Sequence, residues 1–187
     1  MRYSTDEVEA TRQRLLAQGG AHAKQHGFGE SGMAALASAA GVTTGSLYKH
    51  FQGKSDFFAA LVSAELQRTA ALYEGIAPGD TAALRRAALG YLSAAHIDNP
   101  QAGCPLPTLT PEVARAESEV RAAFDAGVQA IHAAVTRLVA EPDRAWVLMA
   151  QSVGAVMLAR ALQDPAMRDA LLDAVRASAQ GLVAQAA

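Results

Sequence analysis

The chain has 187 residues, of which 51% are hydrophobic, 18% charged and 5% aromatic, with a formal net charge of −2. That much apolar side chain excludes a disordered polymer. The single cysteine excludes an internal disulfide framework and a cysteine-rich zinc site. No apolar run is long enough to span a bilayer, and the polar start lacks the apolar stretch of a secretion signal, so a cytoplasmic protein is expected.

The charge is unevenly placed. Residues 1–55 hold Arg2, Arg12, Arg14, Lys24, Lys49 and Lys54 against Asp6, Glu7, Glu9 and Glu30, a balance of +2. The remaining residues hold ten Arg against fourteen acids, a balance of −4. Chance produces such an imbalance, but so does a small basic module that meets a polyanion, carried by an acidic body that does not. Thirteen Arg against three Lys, with abundant Ala, is also the bias of a GC-rich bacterial genome.

Taken in order, the segments read as helix throughout, because alternating strand patterns are missing and Ala is the best helix former. A first helix begins near Asp6 and ends at Gly27-Phe28-Gly29. Ser31 is expected to cap a short second helix to about Ala39. Gly41-Val42 breaks it, and a third helix runs from about Thr43 to Gln52-Gly53. A fourth covers about Ser55 to Glu74. After the turn at Pro78-Gly79, Asp80 or Thr81 caps a fifth that runs to about Ile97. A proline-rich stretch around Gly103-Cys104-Pro105 follows, with Pro111 placed in a helix first turn. Three long helices are then expected over about Ser118–Ala140, Asp143–Leu162 and Ala166–Val183. The fold class is all-α with about nine helices: a three-helix head and a larger helical body.

The chemistry concentrates between Ser31 and Lys54. Leu36, Ala37 and Ala40 share one face of the second helix, and Leu47 and Phe51 share one face of the third, with Val42 in the turn. Two short helices with inward apolar faces, joined by a Gly-containing turn, form a helix-turn-helix. The outer face of the third carries Thr43, Thr44, Ser46, Tyr48, Lys49 and His50, all hydrogen-bonding and none acidic. Such groups read base edges and phosphates when a recognition helix enters the major groove. Gly45 removes a side chain there and lets the backbone approach a duplex. Lys54 stands at the start of the next helix, where its charge and the helix dipole both favour a phosphate. The plainer reading is a helical hairpin with a solvated polar face.

The run Leu36-Ala37-x-x-Ala40-Gly41-Val42-Thr43-x-Gly45-x-Leu47-Tyr48-x-His50-Phe51-x-x-Lys54 closely resembles the DNA-binding domain of TetR-type transcriptional regulators, and Leu15-Leu16-Ala17 with Gly27-Phe28 resembles the first helix of that family. The resemblance covers about residues 10–60. It implies residues 1–54 as DNA-binding domain and 55–187 as effector-binding and dimerisation domain. It also implies a homodimer formed by the last two helices, a palindromic operator of double-stranded DNA, and a small-molecule effector that releases a repressor. By position, Thr43, Thr44, Gly45, Tyr48 and Lys49 would contact bases or backbone, while Ser31, His50 and Lys54 would hold phosphates. Gly19-Gly20 in the first helix departs from the family pattern and reads as a weakened, more mobile head.

In the body, the apolar stripes of the last two helices would bury within the subunit or against a twin. Phe58, Leu61, Tyr73, Tyr91, His96, Phe124, Val128, His132 and Trp146 are candidates for an effector pocket. Each one alone also reads as ordinary core. Cys104 is either an incidental small residue or a thiol that senses electrophiles, as in some TetR-type regulators. His22 and His26 stand four apart without a further ligand, so no metal is expected. No phosphate-binding loop, His-Glu-x-x-His or nucleophile elbow is present, so neither catalysis nor a cofactor is expected.

Overall fold

A computed structural model describes residues 5–184, so Arg2 of the basic head lies outside them. The described residues form ten α-helices and one 3₁₀ turn, with no strand. Helices α1 (Thr5–His26), α2 (Met33–Ala39) and α3 (Thr44–Leu47) make the head. The body follows as α4 (Lys54–Glu74), α5 (Thr81–Tyr91), α6 (Ala94–Asp98), the 3₁₀ turn Pro100–Ala102, α7 (Leu106–Val113), α8 (Ser118–Val139), α9 (Pro142–Ala161) and α10 (Pro165–Ala184).

Local chemistry sets most boundaries. The α1 terminus turns through Gly27 at φ 83°, whose N–H reaches Ala23 O at 2.8 Å. Gly41 takes φ 68° between α2 and α3, a conformation that side chains resist, and so permits the sharp turn. Thr43 caps α3 by accepting the Ser46 N–H, and Asp80 caps α5 by accepting the Ala83 N–H.

Four expectations need correction. Ser31 is not the cap of α2; the capping position is Gly32, with no side-chain bond. The third helix is shorter than expected, because beyond Leu47 the chain tightens to i→i+3 bonds (Lys49 N–H to Ser46 O, His50 N–H to Leu47 O) before Phe51. The fifth expected helix divides at Ser93, whose hydroxyl accepts the His96 N–H and starts α6 anew. Pro111 lies inside α7 rather than at its start. That short helix begins after Pro105, so the N–H missing at Pro111 would have met only the carbonyl of Pro107 in the first turn.

The core runs continuously from head to body. Phe57 is fully buried, with Phe51 edge-on at 4.7 Å and Phe28 at 6.2 Å, while Phe28 stacks on Phe58 at 4.0 Å. Gly19 and Gly20 belong to this junction. A Cβ on Gly19 would stand 2.8 Å from the Phe57 ring, and one on Gly20 would stand 2.8 Å from the Glu65 carboxylate. These glycines therefore let α1 lie close to α4, a packing role that works against the loosening expected from their weak helix propensity.

Arginines close the helix ends around the body. Arg137 donates to the carbonyls of Tyr73, Glu74 and Ile76 at the end of α4. Arg176 donates to Leu92 O behind α5, and Arg160 donates to the carbonyls of His96 and Ile97 and to Thr108 Oγ1. Each satisfies carbonyls that a helix leaves without a partner.

Candidate nucleic-acid interface and body cavity

Thr43, Gly45, Tyr48 and Lys49 are exposed and Thr44, Ser46 and His50 half-buried, all at one end of the molecule. The fully buried Leu47 anchors this short segment from below. Tyr48 is 53% exposed although its ring is large and apolar. The N-terminal half of α1 borders the same end, and a groove between them is walled by Thr11 and Arg14 of α1, Ser38 of α2 and Lys49 and His50 beyond α3, with Glu7 also at its edge. Thr11, Arg14 and Ser38 were not legible as site residues, because nothing in their spacing predicts which face of α1 meets α3. Arg12, on the neighbouring face, lies over the Phe51 ring at 5.2 Å.

Two predicted phosphate holders are placed differently. Ser31 is buried; its hydroxyl donates to Gly27 O at 2.6 Å and its N–H to Phe28 O, so neither donor is left for a phosphate. Lys54 is exposed, but its ammonium donates to Gly29 O at 2.9 Å and covers the Phe28 ring at 5.3 Å, bracing the α1–α2 turn.

In the body, Tyr73, Tyr91 and Cys104 line both a small inner chamber and a wider groove that opens beside it. His96 lines the groove. The chamber has about 30 Å³ of free space and the groove about 600 Å³. The other pocket candidates do not line either one. Phe58 and Leu61 are buried in the core, Phe124 and Val128 pack against it, and His132 stacks on Trp146 at 4.1 Å where that indole is 45% exposed. Helix periodicity marks an apolar face but not whether another helix already fills it. Thr69, Ile131, Leu148 and Met149, which do line the chamber, were missed for the same reason.

The phenols, thiol and imidazole of the cavity are all driven toward their neutral forms. Burial pushes the Tyr73 phenol up to about 12, and pushes the Tyr91 phenol and the Cys104 thiol upward as well. Burial, opposed by a bond to Tyr91 O and reinforced by Arg160 and Lys24, holds His96 below its ordinary value of 6.5. His96 Nε2 accepts the Cys104 N–H at 3.1 Å, so Nδ1 carries the proton and donates to Tyr91 O at 2.6 Å. In the unfolded chain this imidazole takes up a proton at a higher pH than in the fold. Stability is therefore expected to fall as the pH drops through the window below 6.5. Thermal melts between pH 7.5 and 5.5 check this, and a His96→Gln variant should show a shallower decline.

Two clamps tie the cavity wall to the head. Lys24 of α1 is 1% exposed; its ammonium pairs with Glu65 at 2.6 Å and donates to Gly103 O at 2.8 Å, next to Cys104. Arg68 pairs with the second oxygen of Glu65. The carboxylate of Glu112 in α7 accepts the N–H groups of Phe28 and Gly29 at the end of α1.

His22 and His26 stand with ring centroids 4.6 Å apart, and among the described residues no group of three His, Cys, Asp or Glu could hold a metal. None of the described helices is long and apolar enough to cross a membrane.

Residues 15–61 match the family model of bacterial regulatory proteins, tetR family. No curated protein is significantly similar to the chain. Among solved structures, the reduced form of E. coli NemR superimposes with a TM-score of 0.75 at 24% identity, covering 92% of this chain and 96% of that one. A TetR-family regulator from Cytophaga hutchinsonii gives 0.75 at 19% identity, covering 98% and 97%. One from Streptomyces coelicolor gives 0.69 at 20% identity, covering 95% and 96%. The chain thus has a head that is similar to the tetR family of bacterial regulatory proteins over residues 15–61, on an all-α fold like that of TetR-family regulators.

Proposed function

We propose that this chain is a dimeric, ligand-responsive DNA-binding regulator, with residues 1–54 as the DNA-binding unit and 55–187 as the effector-binding and dimerisation unit. The observation that carries the reading is the solvent-facing surface of Thr43, Thr44, Gly45, Ser46, Tyr48, Lys49 and His50, which bears no acid and is anchored by the buried Leu47 and Phe51. Its hydroxyls, amine and ring suit base edges and phosphates in a major groove. Repression, and release from a palindromic operator by a small molecule, complete the reading.

Dimerisation is supported by one stripe on α9, where Val147, Met157 and Leu158 are exposed around Gly154, continued by Met167 of α10. Apolar side chains left in water at helical spacing fit isologous packing against a second copy. Coupling is supported by Lys24 and Glu112: a ligand that shifts the Gly103–Cys104 segment or α7 acts directly on α1. Effector and operator are then linked because each prefers a different position of the head.

Selection of random duplex DNA on the purified protein at two salt concentrations tests the reading. The expected product is an inverted repeat with half-sites about 34–36 Å apart, or a multiple of that. Tyr48→Ala and Lys49→Ala should each weaken binding to it by about 1–3 kcal/mol without changing the melting temperature. Enrichment of no sequence, with binding that vanishes in salt, would leave only phosphate contacts and sink sequence-specific regulation.

A second reading, an electrophile sensor, has one observation behind it: the Cys104 thiol lines the wide groove as well as the inner chamber. Burial keeps that thiol protonated and slow to react. Alkylation that abolishes operator binding in the native protein but not in Cys104→Ser would establish it.

A further inference from the structure

We propose that the wider groove takes an uncharged, largely apolar ligand carrying one oxygen acceptor, and that the hydroxyl of Tyr91 recognises that oxygen. As the identity of the effector class, this rests on the ligand-responsive reading above; as a binding site, it stands on the cavity itself.

The wall offers little to a charged ligand. Arg68, paired with Glu65, is the one Asp, Glu, Lys or Arg that lines the groove, and none lines the inner chamber. The nearest cations are already committed: Lys24 to Glu65 and Gly103 O, Arg160 to the carbonyls of His96 and Ile97, and Arg68 at the groove to Glu65. A ligand carboxylate would have to draw Arg68 or Lys24 from the Glu65 they share or take Arg160 from its carbonyls, and each exchange costs bonds already made. A ligand cation finds no anion either, since Tyr73, Tyr91 and Cys104 are all driven toward their protonated, neutral forms.

One donor is poorly matched. The Tyr91 hydroxyl is buried with no oxygen or nitrogen partner, its polar neighbour being the Cys104 sulfur, a weak acceptor, whereas the neighbouring Thr69 hydroxyl already donates to Glu65 O at 3.1 Å. The phenol ring leans on His96 at 4.5 Å, and His96 is fixed by its bonds to Tyr91 O and to the Cys104 N–H. This donor is therefore held in place before any ligand arrives, and a carbonyl or ether oxygen supplies the strong acceptor it lacks. A buried polar group without a strong partner discriminates between ligands that satisfy it and ligands that do not.

The test uses three probes of one size: 2-acetylnaphthalene, 2-isopropylnaphthalene and 2-naphthoate, titrated calorimetrically into the full-length native protein and into Tyr91→Phe. The ketone is expected to bind about 10-fold tighter than the anion, whose charge can be paired only at the cost of bonds already made. It should bind about 3–10-fold tighter than the hydrocarbon, the span of one net hydrogen bond. Tyr91→Phe keeps the ring and should keep the melting temperature, yet lose the preference for ketone over hydrocarbon. Equal or tighter binding of 2-naphthoate, an undiminished ketone preference in Tyr91→Phe, or no binding of any probe overturns the proposal. Operator binding is followed in the same samples. Tyr91-dependent ketone binding that leaves the operator complex intact keeps the ligand class and sinks its role as effector. Operator release by 2-naphthoate, indifferent to Tyr91, does the reverse.

Discussion

Lys24→Met is expected to cost up to about 3–5 kcal/mol of stability, because it removes the buried ammonium 2.6 Å from the Glu65 carboxylate and leaves that carboxylate only the solvent-exposed Arg68. Two further losses accompany it: Gly103 O loses its donor, and α1 loses its polar tie to the cavity wall. The double variant Lys24→Met/Glu65→Leu is the control. Replacing the buried pair by apolar side chains of similar volume removes two desolvation penalties along with their attraction and returns the exposed Arg68 to water, so most of the loss should be recovered. A single Glu65→Leu variant should behave differently with pH. Burial lowers the Lys24 pKa, opposed chiefly by Glu65, so without Glu65 the neutral amine is favoured further. The unfolded chain then binds the extra proton, and stability should rise as the pH climbs from 7 toward 10.5. Urea titrations of the three variants at two pH values measure all of this. Unchanged stability in Lys24→Met would show that the pair is open to water and cannot tie head to body. If the double variant folds but its operator complex no longer responds to a ligand, the tie is the route of coupling rather than a source of stability.

Phe57→Ala is expected to cost a comparable 3–5 kcal/mol, the usual loss for a large buried aromatic. Phe57 is fully buried at the point where α4 meets the head, with Phe51 packed edge-on and α1 brought close by Gly19. The cavity left behind borders Phe51 directly. The segment that carries Tyr48 and Lys49 therefore loses its support along with the core. Phe57→Leu, which refills most of the volume, should recover a large part of the stability. Hydrogen exchange separates local from global effects: faster exchange in residues 43–51 than in α8 of Phe57→Ala would show that the head opens first. Uniform acceleration across both would mean that head and body unfold as one unit.

Part of this protein is decided by its sequence alone. The head is legible because its determinants are local: Gly41 at a left-handed turn, Leu36, Leu47 and Phe51 at helical spacing, and a polar face that lacks acids. The all-α class follows likewise from composition and from caps such as Asp80, each acting within one turn of chain. What only the tertiary structure decided is how side chains far apart in sequence share or lose their exposure. Gly19 and Gly20 read as weak points in a helix until Phe57 and Glu65 stand against them. Ser31 reads as a cap and Lys54 as a free cation until the turn after α1 claims both. Tyr73, Tyr91 and Cys104 meet in one cavity while Phe58 and Leu61, equally apolar in pattern, are filled in by α1 and α8. Lys24, 79 residues from Gly103 in sequence, becomes a clamp only when α1 packs against the loop after α6. Helical periodicity encodes which face turns inward, but the partner of that face is set by long-range packing, and a repeat of 3.6 residues carries no information about it.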